Sequence, residues 1–153
     1  MFLKEFDFKC AIFDMDGTIL DSMPFWHSVS DRYLLGKGIG FSGSVWDEVK
    51  RLTMTETAEY FQRKFGVTDS VQKICEDVLE IIFVEYADRL QLKKGAFELL
   101  EKLNEKGVPC VLATATDRKC VLACLERLGI KKFFKEIYPC LDLNTSKHEP
   151  LIF

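Results

Sequence analysis

Two aspartates separated by one residue are the part of the sequence best suited to chemistry. Asp14 and Asp16 belong to the run Asp-Met-Asp-Gly-Thr, which directly follows a short apolar segment. Side chains two residues apart on an extended chain leave the backbone on the same side, so both carboxylates can reach one substrate. A carboxylate that attacks phosphorus forms an acyl phosphate, and a second carboxyl can protonate the leaving oxygen and later activate water. We therefore predict Asp14 as nucleophile and Asp16 as its acid/base partner.

The residues that follow the aspartates suit a bound phosphate. Gly17 lets backbone amides approach a phosphate closely, and Thr18 adds a hydroxyl. A phosphate dianion beside two carboxylates needs positive charge, which predicts Mg²⁺ bound by hard oxygen ligands and at least one lysine. A solvated turn is the alternative for such a run taken alone, because Asp and Gly are common in turns.

The elements around the aspartates predict an α/β fold. The apolar run 10–13 predicts a buried strand with the aspartates at its carboxyl end. From residue 95 onward, a helix, a strand at 110–113, a helix capped by Asp117 and a strand at 136–140 alternate. This alternation predicts a Rossmann-like parallel sheet with helices on its faces.

The segment between the first strand and residue 90 is predicted to be all helical. Four helices are expected, at about 22–36, 44–51, 53–66 and 70–86. Ser22 is the predicted N-cap of the first helix, and Thr53 and Glu56 have the spacing of a capping box. We predict a sheet domain of residues 1–21 and 91–153 that carries an inserted helical cap, residues 22–90.

Composition and charge narrow the possible partners. The 48% apolar and 29% charged residues are the balance of a soluble globular protein. A net charge of −3 without a cationic stripe gives no expectation of nucleic-acid binding. No apolar run approaches the roughly 20 residues that span a bilayer, so we expect no membrane partner and a cytoplasmic location.

The six cysteines are scattered and form no C-x-x-C pair, which predicts buried free thiols rather than disulfides. Cys120 and Cys124 would share a helix face, so a metal pair is conceivable. No nearby Cys or His completes such a site.

Three segments resemble motifs of the haloacid dehalogenase superfamily, in its β-phosphoglucomutase-like branch. The run CAIFDMDGTILDS, residues 10–22, resembles the first motif. The strand end Val-Leu-Ala-Thr resembles the second, which implies that Thr114 and the adjacent Ala115 hold the transferring phosphoryl group. The run SKHEPLIF, residues 146–153, resembles the G-K-P-x-P-x-x-F segment with Ser and His in place of the first Gly and Pro, and implies that Lys147 neutralises the phosphate.

The resemblance implies a Mg²⁺-dependent phosphatase that acts on a small phosphorylated metabolite such as a sugar phosphate, with Asp14 and Asp16 at the metal. A phosphomutase is the alternative, although the cap arginine of β-phosphoglucomutases is not matched in the run Glu-Val-Lys-Arg at 48–51. Dehalogenases and phosphonatases are disfavoured, because those branches lack an acid at the position of Asp16.

The family's fourth motif, an acidic pair expected some tens of residues after Lys147, has no counterpart before Phe153. We therefore expect a chain shortened relative to its family, and a catalytically inactive fragment is a further alternative. A parallel sheet that stops after three strands would expose an edge, which predicts lower stability or self-association through that edge.

Overall fold

The structure is a computed structural model that describes residues 9–140 and residue 142. Its strands are β1 (Ala11–Phe13), β2 (Cys110–Thr114) and β3 (Phe134–Pro139). Its α-helices are α1 (Met23–Trp26), α2 (Val29–Gly36), α3 (Trp46–Val49), α4 (Met54–Phe65), α5 (Val71–Asp88), α6 (Ala96–Glu105) and α7 (Arg118–Arg127). Within the described residues, no helix combines the length and the apolar character needed to cross a membrane.

The three strands form one parallel sheet in the order β1–β2–β3, as the alternation of strands and helices predicts. Phe13 lies opposite Leu112, and Leu112 lies opposite Ile137. Leu112 is fully buried at the centre of this sheet. Among the described residues, β1 and β3 each pair with β2 alone. Self-association through a sheet edge stays a prediction.

The chain divides into two compact units. The sheet unit comprises Met1–Ser22 and Tyr86–Phe153, and the helical unit comprises Met23–Glu85. The insertion was predicted at residues 22–90. The helical unit starts one residue later than that prediction and ends five residues earlier.

Aromatic stacking and an ion pair with a buried acid contribute to the packing of the helical unit. The rings of Tyr33 and Phe61 stack with centroids 5.4 Å apart, and both side chains are buried. The guanidinium of Arg32 donates to the carboxylate of Glu85 over 2.7 Å, and this pairing compensates the burial of an acid that is only 8% exposed.

The prediction of a single first helix was wrong. The chain turns at residues 27–28 between α1 and α2, where the hydroxyl of Ser28 donates to the carbonyl oxygen of Phe25 over 2.9 Å. The hydroxyl of Ser22, the predicted N-cap, is fully buried and accepts the amide of Gly17. Apolar spacing continues across the turn, so the periodicity alone could not reveal the break.

Two extended segments of the sheet unit, residues 19–22 and 90–93, run side by side. The amide of Asp21 donates to the carbonyl of Gln91 over 2.9 Å, and the amide of Lys93 donates to the carbonyl of Ile19 over 2.8 Å. Leu20 and Leu92 form the antiparallel bridge between them. The first of these segments ends where the chain leaves the sheet unit, and the second lies a few residues after the chain re-enters it at Tyr86.

The capping box at the start of α4 is confirmed and offers a direct test of local stability. The hydroxyl of Thr53 accepts the amide of Glu56 at 3.2 Å, while the Glu56 carboxylate accepts the amide of Thr53 at 2.7 Å. We expect Thr53→Ala to lower the free energy of unfolding by about 1 kcal/mol, measured by urea denaturation. The matched control is Thr55→Ala in the exposed first turn of α4, where alanine's higher helix propensity predicts no loss. Equal stability of the two variants would contradict the capping role.

Candidate active site

The predicted site residues of the first two motifs lie at the carboxyl ends of two neighbouring strands. Asp14 directly follows β1, and Thr114 is the last residue of β2. Phe13 and Leu112 are paired in a parallel ladder, so the chain segments that follow both strands emerge on the same side. In open α/β sheets, ligands bind outside the carboxyl ends of the strands.

The turn that carries both aspartates is built around Met15, whose side chain is fully buried. The carbonyl oxygen of Met15 accepts the amides of Thr18, Ile19 and Leu20 at 3.3, 3.0 and 3.0 Å. The side chains on either side of Met15, those of Asp14 and Asp16, are half-buried rather than buried. The buried methionine thus anchors the turn, and the residues directly before and after it each carry a carboxylate that is not buried.

Gly17 supports this turn with its backbone. Its φ of 72° lies in the left-handed region, which a glycine adopts without strain. Its amide donates to the carbonyl of Leu20 at 3.0 Å and to the hydroxyl of Ser22 at 3.2 Å. Because this amide is engaged within the turn, the predicted phosphate contact of Gly17 rests on the close approach that its missing side chain allows.

Asp14 and Thr18 lie together. The hydroxyl of Thr18 donates to Oδ2 of Asp14 over 3.4 Å, a long hydrogen bond between a half-buried and an exposed side chain. A phosphoryl group on Asp14 would therefore form beside the Thr18 hydroxyl. The roles of nucleophile and phosphate contact stay predictions.

Asp16 is held by two hydroxyl groups that the sequence analysis did not select. Tyr86 donates its hydroxyl to Oδ1 of Asp16, and Thr116 donates its hydroxyl to Oδ2 over 2.5 Å. Tyr86 is fully buried and Thr116 is 9% exposed. Two hydrogen bonds, one on each oxygen, fix the plane of the Asp16 carboxyl group.

Thr114 is fully buried, and its hydroxyl oxygen accepts the amide of Thr116 at 3.1 Å. Ala115, between them, is exposed at the tip of the loop. Asp117 then begins α7, and its carboxylate accepts the amide of Lys119 at 2.8 Å, which confirms the predicted cap. Thr114 and Ala115 therefore lie at the carboxyl end of β2, and their contact with phosphate stays a prediction.

The predicted phosphate-neutralising Lys147 lies outside the described residues, as does the whole run 146–153. Among residues 9–140 and 142, no group of three or more His, Cys, Asp or Glu side chains is placed to hold a metal ion. Within that part of the chain, the candidate metal ligands are the pair of carboxylates of Asp14 and Asp16.

Cys120 and Cys124 lie on α7 as buried free thiols. Burial raises the pKa of each thiol to about 11, because the thiolate is poorly solvated there. Both side chains are therefore protonated at neutral pH, whereas a metal would require the thiolate.

Comparisons with known proteins identify the family of this chain. The sequence profile of the haloacid dehalogenase-like hydrolase family matches residues 11–153. A phosphorylated carbohydrates phosphatase of Thermotoga maritima is 23% identical over 145 residues, which cover 95% of this chain and 67% of that protein. The mitochondrial (DL)-glycerol-3-phosphatase 1 of Arabidopsis thaliana is 32% identical over 109 residues, 69% of this chain and 36% of that protein. The chain thus spans about two thirds of the first relative and about a third of the second.

The fold is also found among solved structures. A crystal structure of a candidate β-phosphoglucomutase from Thermotoga maritima matches with a TM-score of 0.83 at 23% identity, covering 95% of this chain and 67% of that protein. The predicted fold class, a Rossmann-like parallel sheet with an inserted helical region, is confirmed.

The hydrogen bond between Thr114 and Thr116 predicts a difference between two substitutions. Thr114→Val keeps the shape but removes the acceptor of a buried amide, so we expect the free energy of unfolding to fall by about 1–3 kcal/mol. Thr114→Ser keeps the hydroxyl and loses one methyl group, at a cost of about 0.8 kcal/mol. Urea denaturation of both variants measures the difference, and a valine variant as stable as the wild type would rule out the bond.

The protonated state of the α7 thiols predicts their reactivity. At pH 7–8 a maleimide should label Cys10, which is exposed, and leave Cys120 and Cys124 unmodified in the folded chain. Burial and a pKa of about 11 both suppress the reactive thiolate, and its fraction grows only as the pH rises toward that value. Peptide mass spectrometry gives the labelled positions, and the same reaction in urea is the control for accessibility. Labelling of Cys124 as fast as that of Cys10 would contradict the burial.

Proposed function

The chain belongs to the haloacid dehalogenase-like hydrolase family, and on that premise we propose that it hydrolyses the phosphate monoester of a small metabolite through a phosphoaspartyl intermediate on Asp14. The observation that carries this proposal is the pair of carboxylates on either side of the buried Met15, at the carboxyl end of β1. One carboxylate can act as the nucleophile and the other as the acid/base.

In the proposed first step, a carboxylate oxygen of Asp14 attacks phosphorus and the ester oxygen leaves. The new bond is the acyl phosphate, and the bond that breaks joins phosphorus to the ester oxygen. Asp16, protonated, transfers its proton to that oxygen, so an alcohol rather than an alkoxide departs. Asp16 ends this step as a carboxylate.

In the second step, a water molecule replaces the alcohol. The Asp16 carboxylate removes a proton from the water as its oxygen attacks phosphorus. The acyl phosphate bond breaks, the electron pair returns to Asp14, and inorganic phosphate leaves. Asp16 is protonated again, so the pair of aspartates is ready for the next substrate.

The remaining predicted residues are proposed as phosphate contacts. Thr18 lies beside Asp14, and Thr114 and Ala115 lie at the end of the adjacent strand. Gly17 contributes a surface without a side chain, and Lys147 contributes the positive charge. These groups would bind the equatorial oxygens of the phosphoryl group as its charge redistributes.

Mg²⁺ is proposed as the cofactor because the donor chemistry fits. The carboxylates of Asp14 and Asp16 are hard oxygen ligands, and magnesium commonly takes one or two carboxylates and keeps several waters. When bound, the ion would neutralise charge between phosphate and carboxylate.

The relatives support the substrate class. By name, one acts on phosphorylated carbohydrates and the other on glycerol 3-phosphate, and both are phosphatases. We therefore propose a phosphorylated sugar or polyol, with water as the acceptor. A phosphomutase would use the same aspartates and differ in passing the phosphoryl group to a second hydroxyl of a sugar.

The first test is phosphatase activity of the 153-residue chain. We expect p-nitrophenyl phosphate and a sugar phosphate to be hydrolysed with added Mg²⁺, and Asp14→Asn to lower the rate by at least about 10³-fold, because the nucleophile is lost. The matched control is Asp21→Asn, an exposed aspartate of the same segment, which should keep the activity. Turnover that survives in Asp14→Asn, or no turnover in the wild type, would overturn the proposal.

A further inference from the structure

We infer that Tyr86 and Thr116 act together as positioning residues for the acid/base Asp16, and that Arg127 holds Tyr86 in place. We call Tyr86 and Thr116 the Asp16 clamp. This inference rests on the proposed function, because it assigns the two hydroxyls a task in the proton transfers of that reaction.

The clamp restrains a side chain that would otherwise rotate. The terminal torsion of an aspartate has a broad, two-fold preference and does not by itself fix the carboxyl plane. In this structure each oxygen of Asp16 accepts one hydroxyl, from Tyr86 on one side and from Thr116 on the other. Hydrogen bonds to an ionised carboxylate are about twice as strong as those between neutral groups. The pair therefore selects one orientation.

Three separate segments of the sheet unit meet at this carboxylate. Asp16 follows β1, Thr116 follows β2, and Tyr86 lies in the last turn of α5. Tyr86 and Thr116 are 70 and 100 residues from Asp16 along the chain. A fixed orientation of Asp16 thus depends on the tertiary structure and cannot arise within the aspartate turn itself.

Each residue of the clamp has a second anchor, through its backbone. The amide of Thr116 donates to the buried hydroxyl of Thr114 at 3.1 Å, which ties Thr116 to the end of β2. Arg127, the last residue of α7, donates to the carbonyl oxygen of Tyr86 at 3.3 Å and also to the carbonyl oxygen of Leu90. Arginine side chains commonly satisfy carbonyl groups at helix C-termini, and this contact fixes the backbone that carries the Tyr86 ring.

The clamp leaves Asp16 able to react. Its side chain is half-buried rather than buried, so a substrate can reach it. In the proposed reaction the carboxyl group gives a proton to the ester oxygen and later takes one from water, so its orientation matters in both steps. Pre-orientation of this kind lowers the entropic part of the barrier, and misplacement by about 1 Å can cost about 10²-fold in rate.

The kinetic test uses the leaving group. An alkoxide needs a proton as it leaves, whereas p-nitrophenolate leaves readily without one, so general-acid positioning matters more for a sugar phosphate. We expect Tyr86→Phe and Thr116→Val to lower kcat/KM for the sugar phosphate by about 10- to 100-fold and to affect p-nitrophenyl phosphate much less. Thr116→Ser keeps the hydroxyl and should restore most of the rate on the sugar phosphate. Equal losses on both substrates, or no loss on either, would overturn the positioning role.

A second measurement does not need turnover. In a chain labelled with ¹³C at the tyrosine Cζ, the signal assigned to Tyr86 by its absence in Tyr86→Phe should shift in Asp16→Ala and stay in place in Asp14→Ala. A Tyr86 signal that does not respond to Asp16→Ala would overturn the clamp itself. If the wild type shows no turnover but the Tyr86 signal responds, the hydrolase proposal and the positioning role fail together while the contact stands. Failure of the hydrolase proposal and failure of the clamp contact therefore give different results.

Discussion

The parallel pairing of β1 with β2 is the constraint on which the candidate site depends. The register places Phe13 opposite Leu112, so the segment 14–20 and the segment 114–117 emerge at the same edge. The hydrogen bond between Thr116 and Asp16 shows that these segments touch. A shift of the pairing by one residue would exchange the faces of Leu112 and Ala113, a large and a small side chain that are both buried. Packing on both faces of β2 thus opposes a change in the geometry of the site.

Local signals in the sequence predict most of the fold. Thr53 with Glu56, and Asp117 before α7, have side chains that satisfy the first amides of a helix, and both caps are present in the structure. Such signals depend on neighbours within a few residues. Ser22 directly precedes α1, and its hydroxyl also accepts the amide of Gly17, a contact that the capping signal does not predict.

In the candidate site, too, residues with a local sequence signal could be predicted, and residues that depend on contacts distant in sequence could not. Asp14 and Asp16 could be predicted from the sequence because they follow the predicted first strand, and Thr114 could be predicted from its resemblance to the second motif. Tyr86 could not be found, because it belongs to an apolar helical stripe that is typical of a packing residue, and its partner lies 70 residues away. Thr116 offers only a hydroxyl two residues beyond Thr114, a weak signal without knowledge of which loop it faces.

The pairing of residues 19–21 with 91–93 has a consequence for how the chain folds. It closes a loop of about 70 residues, and loop closure of that length costs about 4 kcal/mol of chain entropy before any contact is gained. Helices form from local contacts on a faster timescale than distant pairing. A helical unit that is already compact would bring residues 22 and 86 nearer to each other, so it would act as an internal template for assembly of the sheet.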